Sequence, residues 1–163
     1  MLNFQDLYDS YAAEIYRFAL WLCGDRHRAE DITSATFIRA WAYTNTIRTE
    51  TLKAYLFTIT RNIYLEQQRN KKNEVALEDV YPDPAPGPDK LVEAQLKLLR
   101  VRRTLQTLPE IDRTAFVLRV EYDLPYEEIA RVLGLSLSAA KVKVHRVRKK
   151  LITISIEQEE VLA

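Results

Sequence analysis

The sequence predicts an all-α protein built from two small helical modules. Three observations carry that prediction. Apolar residues recur at three- and four-residue spacing through most of the chain, the proline-rich segment NEVALEDVYPDPAPGPDK at 73–90 interrupts that pattern once, and strand-like alternation is confined to ITISI at 152–156, too short to stand as a strand. With 163 residues and 47% hydrophobic content, the chain can build two modest cores.

In the first module the pattern predicts helices over about 4–23, 26–43 and 51–71. Phe4, Leu7, Tyr8, Tyr11, Ile15, Phe18, Ala19 and Leu22 form one stripe, and Gly24 ends it. The second helix starts after Asp25 and turns Ala29, Ile32, Thr33, Thr36, Phe37, Ala40 and Trp41 inward. Residues 73–90 hold prolines at 82, 84, 86 and 88, which excludes a helix or a central strand and favours an extended spacer. Beyond this linker the pattern predicts helices over about 89–107, 110–121, 126–133 and 137–152, with Pro109 and Pro125 at helix starts and a C-terminal tail over 153–163.

The last two of these helices carry the most information. YEEIARVLGLSLSAAKVKVHRVRKKL at 126–151 writes a short helix bearing Ile129, Ala130 and Leu133, a corner at Gly134 with Leu135 beneath it, and a second helix capped by Ser136. Ala140, Val144, Val147 and Leu151 make one apolar stripe on that second helix, while Ser138, Lys141, Val142, His145, Arg146 and Lys149 point away from it. This is a helix-turn-helix whose outward face is small and basic, the pattern that enters a DNA major groove. Cations late in a helix also suit its dipole, so arrangement rather than charge carries the reading.

Charge follows the same division. The net is +1 overall but +2 over 1–72, −4 over 73–90, +6 over 91–151 and −3 over 152–163, so each module can attract phosphate locally. A single cysteine, Cys23, excludes an internal disulfide and fits a reducing cytoplasm. No apolar run reaches the ~20 residues that span a bilayer, and the N-terminus lacks the cations of an export signal. Two histidines, His27 and His145, and the lack of a phosphate loop or a nucleophile motif argue against catalysis, a metal or a cofactor.

Three stretches in order carry a family resemblance. AEDITSATFIRAW at 29–41 and LKAYLFTITRNIYLEQQRNKK at 52–72 precede the linker, and LQTLPEIDRTAFVLRVEYDLPYEEIARVLGLSLSAAKVKVHRVRKKL at 105–151 follows it. Together they resemble regions 2 and 4 of a bacterial RNA polymerase sigma factor of the small extracytoplasmic-function (ECF) type, over nearly the whole chain. The chain departs from the family pattern at Ser34 and Ala35, where the family has Gln-Glu, and at Val142, where it has serine.

The resemblance implies a specificity subunit without covalent chemistry, cofactor or small-molecule substrate. It binds core RNA polymerase, at the clamp coiled coil of the largest subunit and at the flap, and directs it to promoter DNA. Residues 1–72 are then the region 2 domain, 73–90 the linker and 91–152 the region 4 domain. Helix 26–43 docks on the clamp through Asp31, Thr33, Arg39 and Trp41, where Trp41 is equally a core anchor and Asp31 equally a first-turn acid. Loop 44–50 and helix 51–71 meet the minus-ten element, Asn45 at a base edge, Lys53, Arg61 and Arg69 at phosphates, and Asn62 with Arg61 as the family's Arg-Asn pair. Tyr55 and Tyr64 are candidate stacking rings, although Tyr55 shares a face with Ile59 and Ile63 and reads better as core. Ser136, Ser138, Ala139, Lys141, Val142, His145 and Arg146 belong to the minus-thirty-five surface, with Lys143 and Lys149 as phosphate anchors. An anti-sigma factor is the remaining implied partner. The rival reading is a stand-alone regulator, which leaves residues 26–71 unexplained.

Overall fold

The computed structural model describes residues 3–43, 52–73 and 92–162. Seven helices form among them: α1 Phe4–Cys23, α2 Arg26–Ala42, α3 Leu52–Asn73, α4 Glu93–Gln106, α5 Glu110–Val120, α6 Tyr126–Leu133 and α7 Leu137–Leu162. The chain divides into two compact units, Met1–Ala85 and Pro86–Ala163.

In the first unit α1, α2 and α3 pack on one another around a common core. Asn3 caps α1 by accepting from the Asp6 amide at 2.8 Å, and Gly24 closes it in the left-handed region, φ 70°, where a side chain would be strained. Asp25 then opens α2, one carboxylate oxygen accepting from the amides of His27 and Arg28 at 2.8 and 3.2 Å. Helix stop and start are thus written in adjacent residues. Phe18, Phe37 and Phe57 are fully buried, with the Phe18 and Phe57 rings edge to face at 4.8 Å. Each such ring contributes about 1.5–3 kcal/mol by leaving water. Thr36 and Thr60 bring two hydroxyls into that core, 3.1 Å apart and each within reach of the carbonyl four residues back, so neither is orphaned.

The second unit packs α5, α6 and α7 together, with α4 against α5. Leu105, Leu118, Ile129 and Val144 are fully buried at its centre. Gly134, φ 65°, makes the corner between α6 and α7, and the Leu135 amide reaches back to the Ala130 carbonyl at 2.9 Å. The turn between α5 and α6 puts Asp123 at φ 51°, and Arg119 closes it by donating to the Leu124 carbonyl at 3.1 Å.

Two sequence expectations change. α7 continues past 152 to Leu162, so ITISI is helical and the stretch expected as a tail continues the recognition helix. No glycine or proline follows Leu151 to stop it, β-branched residues cost only tenths of a kcal/mol in an already nucleated helix, and the Thr153 hydroxyl donates to the Lys149 carbonyl at 2.9 Å. α4 starts at Glu93 rather than 89. Pro109 and Pro125 stand at the starts of α5 and α6, as the sequence predicts, each in the capping position with ψ of 142° and 146°.

Candidate nucleic-acid interface

On the second unit, the surface begins at the corner. The Ser136 hydroxyl accepts from the Ala139 amide at 3.1 Å, fixing the first turn of α7. Ala140, Val144 and Val147 face inward at 0, 0 and 1% exposure, which turns Ser138, Lys141, Val142, His145, Arg146 and Lys149 to solvent and leaves Ala139 half-buried. Val142 is 46% exposed, an apolar spot among cations that suits contact with a thymine methyl better than with a phosphate.

Lys143 departs from the expected role. Its ammonium donates to Asp112 Oδ1 at 2.8 Å, joining α7 to α5, and only 22% of its side chain is exposed. It braces the helix instead of reaching outward. The fold also recruits residues that the sequence did not single out. Arg119 lies over the Tyr126 ring at 4.6 Å and Lys141 approaches the same ring at 5.9 Å, so an aromatic ring and two cations meet at the start of α6. No local spacing signals this, because Arg119 and Lys141 come from different helices.

On the first unit, Asn62 and Arg69 are exposed on α3 and Arg61 is half-buried. Lys53 is half-buried and paired with Glu14 at 3.2 Å, which ties α3 to α1. Tyr64 is buried, 5% exposed, its hydroxyl accepting from Gln68 at 2.7 Å, which removes it as a stacking ring. Tyr55 is half-buried rather than core, seven residues before Asn62, so the two rise on nearly the same face. Asn45 lies outside the described residues.

On α2, Asp31 is exposed, as is Trp41 at 43%, whose ring meets Phe4 edge-on at 5.5 Å. Trp41 is therefore both packed and accessible. Thr33 is not part of this surface: it is 6% exposed and its hydroxyl donates to the Ala29 carbonyl at 2.6 Å. Ile38, 68% exposed, takes its place on the outward face beside the exposed Ser34 and half-buried Ala35. Arg39 reaches across to α3, donating to Glu66 at 3.1 and 2.7 Å. That hydrogen-bonded guanidinium holds the Glu66 carboxyl below its usual range, and Glu66 in turn raises Arg39. Between α2 and α3 lies a groove of about 500 Å³ lined by Arg39, Asn62, Leu65, Glu66, Gln68 and Arg69.

Burial pushes the Cys23 thiol up, and it donates to the Asp25 carbonyl at 3.2 Å as a packed, protonated group. Among the described residues no cluster of His, Cys, Asp and Glu could hold a metal, and no helix is long and apolar enough to cross a membrane.

Two family models match the chain in order, Sigma-70 region 2 over residues 7–74 and Sigma-70 region 4 over 98–151. The ECF RNA polymerase sigma factor SigE of Mycolicibacterium smegmatis is 32% identical over 93% of this chain, which spans 61% of that protein. SigL of Mycobacterium tuberculosis, also an ECF sigma factor, is 30% identical over 85% of this chain and 81% of its own length. The sigma factor RpoE of Bartonella quintana, solved with the anti-sigma factor NepR, superimposes with a TM-score of 0.75 at 27% identity, covering 91% of this chain and 93% of that one.

Proposed function

From the premise that this chain belongs to the ECF family of RNA polymerase sigma factors, we infer that it is the subunit that gives core polymerase its promoter specificity. It binds core RNA polymerase, selects promoter DNA and assists strand separation. The observation that carries the reading is the capped, amphipathic α7, with its basic and small outward face, in one chain with a region 2 bundle. A stand-alone regulator accounts for the first feature and not the second.

Within that reading, residues 1–72 engage polymerase and the minus-ten element, 73–90 tether the two domains, and 91–152 read the minus-thirty-five element. The outward face of α2, with Asp31, Ile38 and Trp41, contacts polymerase; Arg61, Asn62 and Arg69 on α3 and Asn45 in the preceding segment meet the separated strand. Ser138, Ala139 and Val142 approach bases, Lys141 and Arg146 donate to bases or phosphates, and His145 and Lys149 contact the backbone. An anti-sigma factor is the regulatory partner, supported by the NepR complex of the similar RpoE. The work is binding rather than catalysis, in the cytoplasm where polymerase resides. Mixing the purified chain with sigma-free core polymerase and separating by gel filtration tests this: co-elution supports a sigma factor, and a folded, DNA-binding chain that elutes alone returns the reading to a stand-alone regulator.

A further inference from the structure

The end of α7 has no part in promoter binding as read above. The region 4 stretch stops at residue 151, whereas α7 runs on to Leu162, about three further turns. This extension is acidic, with Glu157, Glu159 and Glu160 in its last two turns and no cation after Lys150. Acids at the C-terminal end of a helix oppose its dipole, and the residues three and four positions before each of these include no cation to offset them. A cationic surface outside the helix suits this end, and α7 itself carries one further back, in Arg146 and Lys149.

Arg146, Lys149, Thr153 and Glu157 are all exposed and recur at three- and four-residue spacing, so they rise on one face of α7. That face is opposite the buried stripe Ala140, Val144 and Val147, so the body of the unit lies behind it. Its charge passes from positive to negative through Thr153, and such a stripe complements its own reverse. We propose that this face of α7 pairs with the same face of a second copy of this chain, the helices antiparallel about a two-fold axis at Thr153. Lys149 then stands opposite Glu157 of the second copy, four positions to either side of the axis, and Arg146 opposite position 160, a glutamate, seven to either side. The two-fold repeats each pairing. Ile152, 60% exposed beside the axis, meets its own counterpart and supplies an apolar contact. Exposed charge pairs each contribute little and the face is short, so the pair is weak, with a dissociation constant on the order of 0.1 mM at low salt. Its consequence rests on the promoter-binding reading: pairing covers Arg146 and Lys149, which that reading gives to DNA, so a paired copy cannot present its recognition face.

Sedimentation equilibrium of the full chain at low salt, without DNA or polymerase, over about 0.01 to 1 mM tests the pairing. The weight-average mass climbs from that of one chain towards that of two, and salt of about 0.5 M moves the midpoint up by about tenfold. Two doubly substituted chains separate this pairing from unspecific association. Glu157→Lys with Glu160→Lys makes the face wholly basic, and Arg146→Glu with Lys149→Glu makes it wholly acidic. Each stays monomeric alone, and an equimolar mixture associates with about the parent's midpoint, because every pair is restored with its charges exchanged. Circular dichroism follows the fold in parallel; where a double variant loses helix, the single reversals Glu157→Lys and Lys149→Glu take the two places. A parent that stays monomeric to the top of the range, reversed chains that associate alone as the parent does, or a mixture that stays monomeric overturns the pairing. With no DNA or polymerase in the cell, such a result leaves the promoter-binding reading standing, and a chain that pairs here but fails to join core polymerase loses that reading alone.

Discussion

Lys143 and Lys149 share one basic run on α7, yet the structure predicts that their alanine variants fail in different ways. Lys143 Nζ lies 2.8 Å from Asp112 Oδ1, and the two side chains are 22% and 19% exposed, so the pair is largely withdrawn from water. A hydrogen bond to a charged group in that setting contributes about 1.5–3 kcal/mol, above the roughly 0–1 kcal/mol of a surface pair. Lys143→Ala should therefore destabilise the second unit by about 2 kcal/mol. In a domain of this size each kcal/mol moves the melting midpoint by about 4–8 °C, so calorimetry should register a drop on the order of 10 °C. A double-mutant cycle with Asp112→Ala isolates the pair, with a coupling of about 1–2 kcal/mol. Lys149 is exposed, and its alanine variant should stay within about 0.5 kcal/mol of the parent. Its effect lies in the salt dependence of DNA binding, where losing one phosphate contact flattens the log–log slope by about 0.9. A Lys143→Ala protein that melts with the parent and shows that flattened slope would refute the assignment of Lys143 as a brace.

Phe57→Ala empties a fully buried site against Phe18 and should cost about 3–5 kcal/mol in the first unit, read by urea unfolding. Gly134→Ala meets no atom within 4 Å, so its cost is backbone strain alone at φ 65°, about 1–2 kcal/mol, and Gly134→Asn should cost less; thermal melts separate the two. Arg39 lowers the Glu66 carboxyl, so the pair's contribution is present above the ordinary carboxylate range and is lost as pH falls through the depressed value. Both side chains are more than 40% exposed, so the effect is small and screened. Melting midpoints across that acid range should fall slightly more in the parent than in Glu66→Gln, and high salt should remove the difference.

Much of the fold was legible because its signals are local. Asp25 beside Gly24, and Ser136 two residues after Gly134, mark a helix end and the next helix start within a few positions. The stripe Ala140, Val144, Val147 shows which side of α7 is buried and hence which side is free. Misreadings arose where tertiary partners decide. Thr33 lies on the buried face by its spacing, which conflicts with its place among the polymerase contacts, and burial prevails. Lys143 is a cation whose partner, Asp112, stands on a neighbouring helix. Ile38 went unnoticed because an exposed aliphatic residue has no sequence signature. The end of α7 was missed because β-branched residues in alternation resemble a strand until a preceding helix carries them.

The central claim is that this chain confers start-site choice on polymerase. Sequencing the 5′ ends of transcripts made from a promoter-fragment library, by core polymerase with and without the chain, tests it most directly. The account predicts discrete start sites that appear only with the chain, that share two upstream elements, and that weaken when Arg146→Ala or Asn62→Ala is used. Transcripts whose ends are unchanged by adding the folded chain would contradict it.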